Sequence, residues 1–164
     1  MTTRTPRDRD PAPPTWGRRP MRTFGSLDAL ARAVGDRKDL YVRWSMGPEH
    51  DLRKESSQDD LTGAPLPGLS ASPLRREAWW GGRSARLWVA RRLYDYCHLP
   101  RVKNPRTRPW VLSGTEVARG PDNEPLVTDI APVGWIAWTV ITEARDVIED
   151  QTGRWGPINR FTSP

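Results

Sequence analysis

Leu40-Tyr41-Val42-Arg43-Trp44-Ser45, stopped by Gly47-Pro48, is the stretch on which the fold turns. Six residues rich in aromatic and β-branched side chains, ended by a strong breaker, predict a strand. Upstream, Ser26 is placed to cap a helix whose apolar face is Leu27, Leu30, Ala31 and Val34, with Gly35 closing it. Downstream, residues 46–73 carry turn chemistry throughout, at Gly63, Pro65, Pro67, Gly68 and Pro73, with Gly68-Leu69-Ser70-Ala71-Ser72 as one short extended piece. A loop of that length inside a small domain is uncommon and often functional.

The rest of the chain alternates in the same way. Ser84 predicts the cap of a central helix with Leu87, Trp88, Val89, Leu93, Tyr94 and Cys97 on its apolar face, ended by Pro100. A basic loop, residues 101–108, leads into Pro109-Trp110-Val111-Leu112 as a second strand. Gly120-Pro121-Asp122-Asn123 reads as a turn before a third strand, Leu126-Val127-Thr128-Asp129-Ile130. A last helix from about Thr139 carries Val140, Ile141, Ala144, Val147 and Ile148 and stops at Gly153, after which Trp155-Gly156-Pro157-Ile158 is expected to fold back. The expected fold class is α+β, two or three helices packed on a small, mainly antiparallel sheet. One domain is expected over residues 23–160, after a tail at 1–22 that has too little apolar surface to order itself.

Bulk properties narrow the function classes. A chain of 164 residues can bury a core without disulfides or metals. Its apolar runs, such as Val133-Gly134-Trp135-Ile136, are far shorter than the roughly 20 residues of a membrane helix. The first residues hold no apolar run, so no secretory signal is expected, and one cysteine, Cys97, suits a reducing cytoplasm. Charge is polarised: residues 1–22 hold six Arg against two Asp, and residues 75–108 hold ten basic groups against two acidic. Residues 109–164 hold four basic groups against eight acidic.

Each candidate site stands beside a structural reading. The 75–108 block, with Trp79 and Trp80 interleaved, has the composition of a single-stranded nucleic-acid surface, since guanidinium pairs with phosphate and indole stacks on bases. Against that, Arg86, Arg91 and Arg92 suit the solvated face of the central helix. Trp79-Trp80-Gly81-Gly82 places two indoles side by side, so one is expected to pack and the other to line a groove as a ligand platform. His50 and the Cys97-His98 pair lack metal-ligand or catalytic spacing, so no metal is expected. The acids Glu49, Asp51, Glu55, Asp59 and Asp60 lack the pattern of a calcium loop and read as a solvated loop. In Gly120-Pro121-Asp122-Asn123-Glu124-Pro125, turn formation accounts for all but Glu124.

Several motifs resemble an uncharacterised family of small actinobacterial proteins, a domain of unknown function. They are the strand with its Gly47-Pro48 stop; Asp60-Leu61-Thr62-Gly63 with Pro67-Gly68-Leu69-Ser70-Ala71; Ala90-Arg91-Arg92-Leu93-Tyr94-Asp95-Tyr96; Pro109-Trp110-Val111-Leu112; and the 120–127 stretch. The resemblance covers about residues 24–150 and implies no activity. Arg43, Ser70 and Glu124 also follow the order of the arginine–serine–glutamate type of ADP-ribosyltransferase. That likeness implies NAD as cofactor, with Arg43 on its phosphate, Ser70 at the nicotinamide end and Glu124 on a ribose hydroxyl. Two residues before Glu124 stands Asp122, a departure from the usual pattern. The leading expectation is a non-catalytic domain without a cofactor. It would bind a small molecule or protein in a groove made by the long loop, Trp79, Trp80 and Asp122, Asn123 and Glu124.

Overall fold

The computed structural model describes residues 21–54, 57–59 and 61–151. In chain order the elements are β1 (Arg22–Phe24), α1 (Leu27–Val34), β2 (Leu40–Ser45), α2 (Pro48–Lys54), β3 (Leu69–Ser70) and β4 (Ser72–Pro73). A 3₁₀ turn (Ala78–Trp80) follows, then α3 (Ala85–Tyr94), α4 (Leu99–Val102), β5 (Arg108–Arg119), β6 (Pro125–Ile136) and α5 (Trp138–Glu149). The α+β expectation holds, with α1, α3 and α5 as the longer helices.

Alternation along β2 gives the sheet two buried faces. Leu40, Val42 and Trp44 join Leu27, Leu30, Trp88, Leu93, Val140 and Ile148 in the core beneath the helices. Tyr41 points the other way, into a second core with Ala71, Trp110, Leu112 and Val127. The helix starts follow their caps: Ser26 Oγ accepts from Ala29 N–H at 3.1 Å and Ser84 Oγ from Leu87 N–H at 3.1 Å. A second acceptor crosses over from α5, where Glu143 Oε2 takes the Leu27 N–H at 2.8 Å.

The sheet runs β1-β6-β5-β2-β4, with β1 parallel to β6 and the other neighbours antiparallel. It then closes on itself. β4 pairs with β2 only at Val42↔Ser72 and Tyr41↔Pro73, whereas β3 pairs with β6 at Leu69↔Val127 and Ser70↔Leu126. Only Ala71 separates β3 from β4, and its N–H donates to Pro125 O at 3.1 Å. The short piece 69–73 thus closes the ring of β2, β5 and β6, and Gly68 makes this possible. A Cβ there would stand 2.8–2.9 Å from the Val127 backbone. Because β3 leaves β2 for β6, the stretch of β2 from Arg43 onward has no strand on that side. The wall of the ring is split there.

Several expectations change. The long loop contains α2, opened by Pro48 with Glu49 and Asp51 in its first turn. Pro100 does not end the central helix, which stops at Tyr94; it sits in the first turn of α4, where its missing N–H costs nothing. β5 and β6 run 12 residues each, far beyond the predicted strands, and bend through register shifts at 111/112, 113/115 and 116/118. α5 starts at Trp138, one residue before the expected start, and this side chain is 47% exposed and lies against Trp44 with ring centroids 6.0 Å apart. Arg22, assigned to the tail, is paired with Gly134 in the sheet. Residues 1–20, Gly153 and the 155–158 segment lie outside the described residues.

Candidate functional site

Arg43 lies on β2 where the wall splits, and its side chain spans the gap. Nε donates to Asp51 Oδ2 at 2.6 Å and Nη2 to Asp51 Oδ1 at 3.3 Å. Nη1 reaches across to β3, donating to Ser70 O at 2.6 Å and Ser70 Oγ at 3.2 Å, with Ser57 Oγ at 3.5 Å. Ser57 Oγ in turn accepts the Ser70 N–H at 2.9 Å. On the other side Ser45 Oγ donates to Asp51 Oδ2 at 2.5 Å while accepting from Trp110 Nε1 at 2.9 Å. Asp51 is 3% exposed. A buried ion pair offsets its desolvation only when its remaining hydrogen-bonding capacity is filled, and here serines and a carbonyl fill it.

Local sequence explains how Asp51 arrives there. Gly47 has φ +118, and a Cβ on it would lie 2.7 Å from the Trp135 ring, so only glycine turns the chain out of β2 at that point. Pro48 then starts α2 immediately, and Asp51 N–H donates back to Gly47 O at 3.1 Å. The carboxylate swings under the Arg43 fork. Asp51 is therefore no member of a solvated acidic loop. Sequence reading passed over it, together with Ser45 and Ser57. The available signal was Pro at the first position of a short helix with acids in its first turn.

Beside this network the split opens into a cavity of about 720 Å³. Arg43, Ser70 and Glu124 all line it, and so does Asp122 from the β5–β6 turn. Further along the wall stand Trp44, Asp59, Tyr96 and Lys103. Glu124 Oε2 accepts the Asp122 N–H at 2.9 Å, and Asn123 occupies the left-handed region at φ 62, so the turn is held by its own groups. Asn123 itself is not on the cavity wall. The Asp59 carboxyl is held below its ordinary range by the backbone amides of Thr62 and Leu61, which donate to it at 2.9 and 2.8 Å. Among the described residues, no group of three or more His, Cys, Asp or Glu is placed to hold a metal ion.

Trp79 and Trp80 are not on this wall. Trp80 is 1% exposed and packs edge-on against Trp88 at 5.2 Å, while Trp79 closes the triplet at 5.3 Å from Trp88. Trp79 Nε1 donates to Glu77 Oε2 at 2.5 Å. The groove expected from the long loop, both indoles and the 120–124 turn is therefore not one groove: the indoles pack elsewhere.

Much of the basic block is also engaged. Arg83 lies over Trp80 at 4.0 Å, Arg92 over Trp88 at 4.3 Å and Arg108 over Trp135 at 4.3 Å. Arg86 pairs with Asp28 at 2.7 Å, and Arg91 is buried with Asp95 at 3.1 Å. Arg91 and Arg92 are thus not the solvated face that their spacing suggested. Burial lowers the Arg92 pKa against the pull of Glu77, and burial raises the Asp95 carboxyl against the opposing charges of Arg91 and Arg92. Among the described residues no helix is long and apolar enough to cross a membrane.

Fold and site together define a class: an α+β domain whose curled sheet closes through one two-faced segment and opens a polar cavity at the split. The chain belongs to the family of unknown function DUF6098, whose model matches residues 17–156. No curated protein and no solved structure matches it significantly.

Proposed function

We propose that this domain is a non-catalytic, cytoplasmic small-molecule binder whose site is the cavity at the β2–β3 split. One observation carries the reading: a cavity of about 720 Å³ lined by Arg43, Asp51 and Ser70, with Arg43 hydrogen-bonded to both of the others. Ligand pockets are typically concave spaces of this size with a few convergent polar groups, already formed before the ligand arrives. A thermal-shift screen of nucleotides, sugars, amines and amino acids tests it, because a ligand that binds only the folded state raises Tm by mass action. Leu66 lines the cavity, and Leu66→Trp is expected to abolish any such shift. A shift that survives this substitution would move the site elsewhere.

A second reading keeps one specific support. Arg43, Ser70 and Glu124, the three residues of the ADP-ribosyltransferase likeness, line the same cavity. In that reading Glu124 acts on NAD, and nicotinamide release from NAD is expected from the natural chain and not from Glu124→Gln. Absence of both NAD binding and nicotinamide release removes it.

A further inference from the structure

The split in the sheet leaves main-chain groups without a ladder. Asp39 O accepts the Gly114 N–H at 3.1 Å on the β5 side, whereas Leu40 O accepts the Leu74 N–H at 3.0 Å on the opposite side. An antiparallel strand alternates these directions residue by residue, so Leu40, Val42 and Trp44 turn their N–H and C=O away from β5. Val42 meets Ser72 there. Were the line of β4 to run straight on, Ser70 would meet Trp44, but Ser70 pairs with Leu126 of β6 instead. Among the described residues no strand stands opposite Trp44 on that side, and Trp44 lines the cavity. The split is spanned by the Arg43 side chain, which reaches Ser70 O at 2.6 Å. Strands joined through an arginine side chain stand wider apart than the roughly 4.8 Å of a hydrogen-bonded pair.

A second, independent observation lies in the segment before β3. Ser57 N–H donates to Gly68 O at 3.1 Å and Ser57 O accepts from Leu66 N–H at 2.7 Å, while Asp59 N–H donates to Ala64 O at 2.9 Å. Both residues turn towards the returning chain, so Gln58 between them, bridged to Pro65, turns its N–H and C=O outward. Gln58 is exposed and lines the same cavity. Two wall residues of one cavity thus each offer a main-chain donor and acceptor that no described strand meets.

A residue of extended peptide carries an N–H and a C=O on one edge, and it satisfies such a pair together. Leu66, Leu69 and Leu99 on the wall supply apolar surface for a side chain. We infer that the ligand is a short extended peptide with an apolar side chain, added to the open edge of β2 at Trp44 and meeting Gln58. The inference rests on the ligand-binding reading of this cavity and names its ligand class.

Titration calorimetry of the full chain with acetyl-Val-Leu-Val-methylamide, its ester analogues, NAD, glucose and agmatine tests it. The capped tripeptide is expected to bind. Each ester replaces one amide N–H by oxygen, and the most sensitive one is expected to bind about fivefold or more weakly, because Trp44 O is left unmet. In the spectrum of the labelled protein, the Trp44 amide proton is expected to move downfield as it gains an acceptor. Gln58→Pro deletes an outward N–H and keeps the bonds of Ser57 and Asp59. It is expected to leave Tm unchanged and to weaken the tripeptide about threefold or more.

The outcomes separate the two claims. Binding of NAD, glucose or agmatine without the tripeptide overturns the peptide class and leaves the cavity standing as a site. Tripeptide affinity indifferent to every ester, or a Trp44 amide that does not move, overturns the strand addition. Binding of none of these compounds overturns both readings.

Discussion

Arg43 and Arg92 have side chains equally withdrawn from water, each 17% exposed, yet their surroundings have little in common. Arg92 sits over the Trp88 ring at 4.3 Å with the Glu77 carboxylate 3.7 Å away, and burial lowers its pKa against the pull of Glu77 and Asp95. Arg43 has a carboxylate on two of its nitrogens and a carbonyl and two hydroxyls on the third. The first is an amphipathic side chain used as a cover for apolar surface. The second holds two parts of a sheet at a fixed separation beside an open cavity. Exposure alone does not distinguish a structural arginine from one at a site; the number and direction of its hydrogen bonds do.

That contrast can be broken by mutation. Asp51→Ala leaves Arg43 buried without its counter-ion and is expected to cost about 3–5 kcal/mol in denaturant unfolding, since breaking a buried pair costs far more than replacing it. Arg92→Met keeps an apolar cover over Trp88 and is expected to change stability by less than about 1 kcal/mol. If the two substitutions cost the same, the two arginines do the same work and the distinction fails.

A pH series sharpens it further. Burial raises the Asp95 carboxyl, so its protonated form favours the fold, and its contribution to stability declines as pH rises from the unfolded value through the raised folded one. Asp95→Asn is expected to flatten the pH–stability curve across that window. On the exposed surface the sign reverses with a smaller effect. The Arg37 hydrogen bond lowers the Asp39 carboxyl, so its stabilisation is present above the unfolded value and lost as pH falls through the folded one. Removing that pair is expected to cost well under about 1 kcal/mol.

What could be read from the sequence was local. Ser26 and Ser84 cap the helices they predict, and the 40–45 strand stands where its residues put it, because each signal lies within a few positions of its effect. Arg43, Ser70 and Glu124 stand out through their shared order with the arginine–serine–glutamate type of ADP-ribosyltransferase, and they line one cavity. The rest depends on partners distant in sequence. β3 and β4 are two residues each and exist only through β6 and β2. Asp51 looks like any loop acid until Arg43 is placed opposite it. Trp138 begins its helix at the edge of the core, where Trp44 covers only part of it.

The segment 69–73 carries a consequence for the order of assembly. It joins strands at residues 41–42 and 125–127, so it can dock only after β5 and β6 have formed their hairpin and β2 has joined them. Closing loops of that span costs entropy that only the finished pairings return. With only two pairings on each side, the segment is expected to open more readily than the long strands. Its amides at Ser70 and Ala71 therefore exchange with deuterium sooner than those of Val42 or Val111 in the three-stranded heart of the sheet. Each such opening lifts one wall of the cavity, so under the proposed binding role a ligand is expected to slow exchange at these two amides first.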